Sequence, residues 1–140
     1  IMIYCPLSYG SYNDYRDSVI ALGRDYFGDR FIPMTGFMKT DDYIKFLGDI
    51  DIAVFNHQRQ EGMGVIIQLL NLGKTVYMNP LTTSYKSFIK RGFMVFDNSL
   101  ISQGGLFANR EVSGNTALTS SYYSYERLVE SWDTIFRHRS

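Results

Sequence analysis

Cysteine, proline, histidine and charge imbalance are all scarce in this chain of 140 residues. A single cysteine, Cys5, cannot build an internal disulfide framework, so a reduced, cytoplasmic setting is the simplest expectation. With Lys+Arg at 14 and Asp+Glu at 14, the net charge of +0 excludes nucleic-acid binding by bulk charge. No run approaches the roughly 18 to 20 apolar residues that cross a bilayer. Two histidines, His57 and His138, with one cysteine offer no zinc spacing, and no metal is expected. The strand-turn-helix elbow of a serine hydrolase is missing as well. Three prolines leave neither a linker nor a low-complexity tract.

What is present in quantity is apolar and aromatic material: 45% hydrophobic residues, with eleven tyrosines and ten phenylalanines. That is enough for one packed domain spanning residues 1–140. Strand and helix patterns alternate along it. Residues 1–5 read as a strand ended by Pro6 and a turn through Ser8, Tyr9, Gly10 and Ser11. Tyr15, Val19, Leu22 and Tyr26 then form one helical stripe, stopped at Gly28. Residues 31–34 read as a strand, and Thr40 caps a short acidic-started helix through Leu47. The unit repeats with a strand over 50–55, a polar connection, and a helix over 64–72 that is apolar nearly all round and stops at Gly73. Strands over 75–78 and 93–96 enclose a short helix over 85–91. Residues 98–121 read as irregular with at most a short helix. Ser124 caps a last helix whose Leu128, Val129, Trp132, Ile135 and Phe136 share a face expected to pack on a larger body, Trp132 as core or inter-domain packing. Strict alternation of this kind predicts an α/β fold, a Rossmann-like parallel sheet with helices on both faces.

In such sheets ligands bind beyond the carboxyl ends of the strands, so the loops that follow strands carry the information. Asn56, His57, Gln58, Arg59, Gln60, Glu61, Gly62, Met63 and Gly64 follow one strand and lead into the apolar helix. The glycines let a ligand approach the main chain, and free helix amides would hold phosphate. Arg59 offers a bidentate phosphate contact and Glu61 an acceptor for sugar hydroxyls. A solvated Arg59–Glu61 surface pair is the competing reading, and His57 reads as a residue that orders its loop. After the next strand, Thr82, Thr83 and Ser84 place three hydroxyls at a second helix start. Other nucleotide motifs do not fit. Ile67 stands where a dinucleotide fingerprint needs glycine, and Gly73, Lys74 and Thr75 open a strand rather than the helix of a P-loop. Lys86, Lys90 and Arg91 form a basic helix face read as solvated.

Three blocks carry a resemblance: residues 40–47, the run from Asp51 to Gly64, and the run from Leu72 to Pro80. Together they resemble the donor-binding half of a GT-B glycosyltransferase. More narrowly they resemble the 4-alpha-L-fucosyltransferase family, the TDP-Fuc4NAc:lipid II Fuc4NAc transferases of glycosyltransferase family 56. The resemblance covers about residues 1–96, and its core is Arg59, Gly62 and Gly64 with Asn79-Pro80 and the following hydroxyls. It implies that pyrophosphate lies against Gly62, Met63 and Gly64, flanked by Arg59, Thr82, Thr83 and Ser84, and that Gly36, Phe37 and Met38 contact the base. Glu61 matches the first acid of an E-x7-E pattern that binds the donor sugar. Gln68 stands one position before the second acid, a departure that suits a deoxyribose nucleotide such as dTDP.

The implied activity is metal-free transfer of an amino-deoxy sugar from a nucleotide-sugar donor to a polyprenyl-diphosphate-linked glycan. The implied place is the cytoplasmic face of the bacterial inner membrane, with peripheral membrane contact. An N-terminal acceptor domain is expected to precede this donor domain, no separate cofactor or nucleic-acid partner is expected, and the domain alone would be inactive. Two alternatives stand beside this one: a GT-B-fold nucleotide-sugar 2-epimerase, and a non-catalytic flavodoxin-like binding module.

Overall fold

Among the described residues every strand pairs with its neighbour in parallel. The structure is a computed structural model that describes residues 1–8, 13–108 and 110–137. It divides into two compact units, Ile1–Tyr43 and Ile44–Ser140.

In the first unit β1 (Ile3–Pro6) pairs with β2 (Phe31–Met34), Ile3 opposite Phe31 and Pro6 opposite Met34. Helix α1 (Asn13–Phe27) connects them, as a parallel pair requires a crossover. The helix forms as expected, but its tyrosine stripe does not face the sheet. Tyr15, Leu22 and Tyr26 are exposed, and the buried residue of the helix is Gly23. The Phe31 ring fills the space a side chain at position 23 would need, so the helix approaches the sheet at its smallest residue. Expectations for Tyr9, Gly10 and Ser11 lie outside the described residues, as does His138. Helix α2 (Thr40–Asp49) starts with Asp41 and Asp42 in its first turn, where carboxylates oppose the positive helix end.

In the second unit three strands order as β3 (Ile52–Phe55), β4 (Thr75–Met78) and β5 (Phe96–Asp97), all parallel. All four residues of β4 are buried, which marks it as the spine of the core. Helix α3 (Met63–Asn71) turns Ile66, Leu69 and Leu70 inward, each at most 1% exposed. Gly73, at φ 65°, ends the helix and hands the chain to β4. The Lys74 ammonium donates to the Gly48 carbonyl at the end of α2. Helix α4 (Thr83–Lys90) buries Phe88, whose ring meets Phe93 edge-on at 5.3 Å.

Two expectations change in this unit. The strand read over 93–96 enters the ladder only at Phe96–Asp97. The reason is Asn115, 2% exposed, whose side-chain oxygen accepts from the Met94 N–H at 2.8 Å while its amide donates to the Met94 carbonyl at 2.9 Å. Met94 thus spends its main-chain groups on a side chain rather than on a strand. The segment over 98–121 is more helical than expected: a short α5 (Ile101–Gly104) precedes α6 (Gly114–Tyr123), which packs on α3. The last helix, α7 (Tyr125–Arg137), has no buried residue. Its predicted packing face is in solvent, Trp132 being 52% exposed and stacked on Phe136 at 5.7 Å.

Candidate functional site

The loops after β3 and β4 are brought together by the ladder itself. Asn79, the first residue beyond β4, donates its main-chain N–H to the carbonyl of Phe55, the last residue of β3, at 3.2 Å, so the pairing runs to the very end of the strands. Beyond that point each chain turns into a helix, α3 from the first loop and α4 from the second. Both helix N-termini therefore stand at the carboxyl edge of the sheet, where free amides and the helix dipole favour an anion.

The N-cap of α3 is Gly62, which holds φ 67° and supplies no side-chain cap. A β-carbon at Gly62 would lie 3.4 Å from the Phe55 ring and 3.6 Å from the His57 ring, so the space beneath it is filled by those two side chains. Gly64 has open space on its Cβ side. The first turn of α3 thus offers uncapped amides on an accessible surface. Helix α4 is different. Its N-cap is Thr82, whose hydroxyl accepts from the Tyr85 N–H at 3.2 Å and donates to the Asn79 carbonyl at 2.8 Å. Asn79 in turn accepts the Leu81 N–H on its side-chain oxygen at 3.0 Å. The Thr82 hydroxyl is therefore committed to the turn and does not serve as a free ligand donor.

Between these helix starts lies a small depression lined by Phe55, His57, Arg59, Glu61, Ile66, Met78, Asn79, Thr82 and Ser84. Its free volume of about 10 Å³ is room for roughly one water molecule. Of the residues singled out in the sequence, His57, Arg59, Glu61, Asn79, Thr82 and Ser84 meet on this depression. Arg59 and Glu61 are exposed on its rim, one cation and one anion. Gly62, Met63 and Gly64 form the adjoining helix start, and Thr83 opens α4.

Other expected residues are placed elsewhere. Gln68 is exposed along α3 and does not line the depression. The Asn56 side-chain oxygen accepts from Asn98 at 2.8 Å, which ties the loop after β3 to the loop after β5. Gly36, Phe37 and Met38 belong to the first unit, in the segment between β2 and α2, where Phe37 is 87% exposed.

His57, read as a loop-ordering residue, has no protein partner at its buried Nδ1, so that nitrogen does not order the loop by a protein hydrogen bond. Its ring meets Phe55 edge-on at 5.8 Å. Phe55 and Asn79 belong to the site because they end one strand and follow the other, a position visible in the sequence. Tyr85, one residue past Ser84, has its phenol pushed up by burial and secondarily by the Asp97 carboxylate, so it stays neutral at physiological pH. Among the described residues no cluster of three His, Cys, Asp or Glu is placed to hold a metal ion. None of the described helices is long and apolar enough to cross a membrane.

No family model matches the chain, and neither curated proteins nor solved structures show a significant similarity to it.

Proposed function

We propose that this chain is the donor-binding domain of a GT-B glycosyltransferase that uses a dTDP-linked amino-deoxy sugar of the Fuc4NAc type. The observation that carries the reading is the uncapped N-terminus of α3, opened by Gly62 and Gly64, with Arg59 on the rim of the depression beside it. Because that depression takes no more than about one water-sized group, a nucleoside diphosphate would lie across its rim against Gly64. Main-chain amides and Arg59 would then face the phosphates.

In the reaction, the anomeric carbon forms a bond to the oxygen of an acceptor hydroxyl while its bond to the β-phosphate oxygen breaks, and the hydroxyl proton passes to a base on the acceptor side. Negative charge grows on the departing nucleoside diphosphate, and fixed donors aimed at that group stabilise it. Glu61 would accept from donor-sugar hydroxyls, and Gln68, one position before the second acid of that pattern, suits a deoxyribose. The acceptor, a polyprenyl-diphosphate-linked glycan at the cytoplasmic membrane face, would be held by a separate N-terminal domain.

The test is calorimetric titration of dTDP, UDP and GDP into the chain and into Arg59→Ala. Binding of dTDP that weakens about tenfold or more in the variant is expected, the size of a lost charge-assisted contact. Silence with all three nucleotides refutes the transferase reading and favours a non-catalytic module.

A further inference from the structure

Two polar atoms of the depression are buried without a protein partner, the Ser84 hydroxyl oxygen and the His57 Nδ1. Ser84 is 7% exposed, so its hydroxyl has little bulk water to turn to. Burying such a group unpaired is costly, and native structures keep few of them. The other hydroxyl and the side-chain amide oxygen on this rim are spent. The Thr82 hydroxyl caps α4, and the Asn79 side chain closes its own turn. The space left between the linings matches one oxygen-sized group.

We infer that the depression seats a single anionic oxygen of a phosphoryl group, bound by the Ser84 hydroxyl and by His57 donating from Nδ1. Ser84 is the second residue of α4, so its hydroxyl and its free main-chain amide belong to the same helix start. His57 comes from the loop after β3, so one oxygen would be held from both strand ends. The phosphorus and its remaining oxygens would stay outside, towards Arg59. His57 thereby becomes a ligand-contacting residue rather than an ordering one. This inference rests on the nucleotide-sugar reading of the same site, but it concerns only the anion seat.

The experiment titrates dTDP and, separately, inorganic pyrophosphate into the wild-type chain, Ser84→Ala and His57→Ala, with thermal unfolding of each variant. Removing the Ser84 hydroxyl is expected to leave the unliganded melting temperature unchanged or raised, because an unpaired group is lost. It should weaken both ligands about tenfold. His57→Ala should weaken them similarly, and ligand addition should move the His57 Nδ1 resonance in nitrogen NMR. Loss of unliganded stability in Ser84→Ala, or unchanged affinity in both variants, overturns the seat and assigns the two atoms to a structural water. If dTDP binds equally to all three chains, the seat alone is wrong and the donor-domain reading stands. If only pyrophosphate binds, and Ser84→Ala weakens it, the seat stands and the nucleotide reading falls.

Discussion

Replacing Asn115 with alanine should be among the most damaging single changes in the second unit. The side chain is 2% exposed and makes two hydrogen bonds, at 2.8 and 2.9 Å, to the N–H and carbonyl of Met94. Alanine removes both partners and leaves two main-chain groups unpaired. Each orphan costs about 1–3 kcal/mol, so the loss should fall near 2–6 kcal/mol. A domain of ordinary stability holds only about 5–15 kcal/mol in reserve. In melting temperature the drop should be on the order of 10 °C. Far-UV circular dichroism on heating, with urea unfolding as a check, measures it. Asn115→Asp separates the two bonds. A carboxylate still accepts from Met94 N–H but opposes the Met94 carbonyl, whereas the protonated acid can donate to it. The fold therefore favours the protonated form and raises the pKa of the introduced carboxyl above its unfolded value. The stabilising contribution is fully present below the unfolded value and disappears as pH rises through the folded one. A loss below about 1 kcal/mol in Asn115→Ala, or an aspartate variant indifferent to acid, would refute the clamp.

Gly62→Ala forces a side chain into φ 67° beside the Phe55 ring and should cost about 1–2 kcal/mol, read by urea unfolding. Gly64→Ala meets open space and should leave stability equal or improved by up to about 1 kcal/mol, yet weaken dTDP in calorimetry by crowding the approach to the α3 amides. Gly23→Ala would push α1 off Phe31 and destabilise the first unit by about 1–3 kcal/mol, visible as earlier proteolysis of residues 1–43. Burial pushes the Cys5 thiol up, so at neutral pH it should react with a disulfide reagent more slowly than free cysteine, and unfolding in urea should remove the difference.

Much of the second unit could be read from the chain because its signals are local. β4 is a short apolar run followed by Asn-Pro, and α3 is an apolar helix bounded by glycines, so both appear in the residues that form them. What escaped depends on distant partners. The shortening of β5 is decided by Asn115, 21 residues away from Met94. Helix α6 hides because the residues it buries are Asn115 and Thr119, which leave no apolar stripe. The buried face of α1 is equally hard to see, since its closest contact is Gly23 against Phe31 and its tyrosines look outward. At the site, the convergence of Arg59, Glu61, Thr82 and Ser84 follows from the rule about strand ends. The commitment of the Thr82 hydroxyl and the isolation of His57 Nδ1 do not, because each depends on hydrogen bonds rather than on spacing.

Trp132 is the one tryptophan of the chain, and it stands half in water on a helix that buries none of its residues. Intrinsic fluorescence excited at the indole band will therefore be red-shifted and readily quenched by acrylamide even in the native protein. A melt followed by that emission will report on α7 and pass over the collapse of β4, so the tyrosines or the backbone signal must serve as the probe of global unfolding.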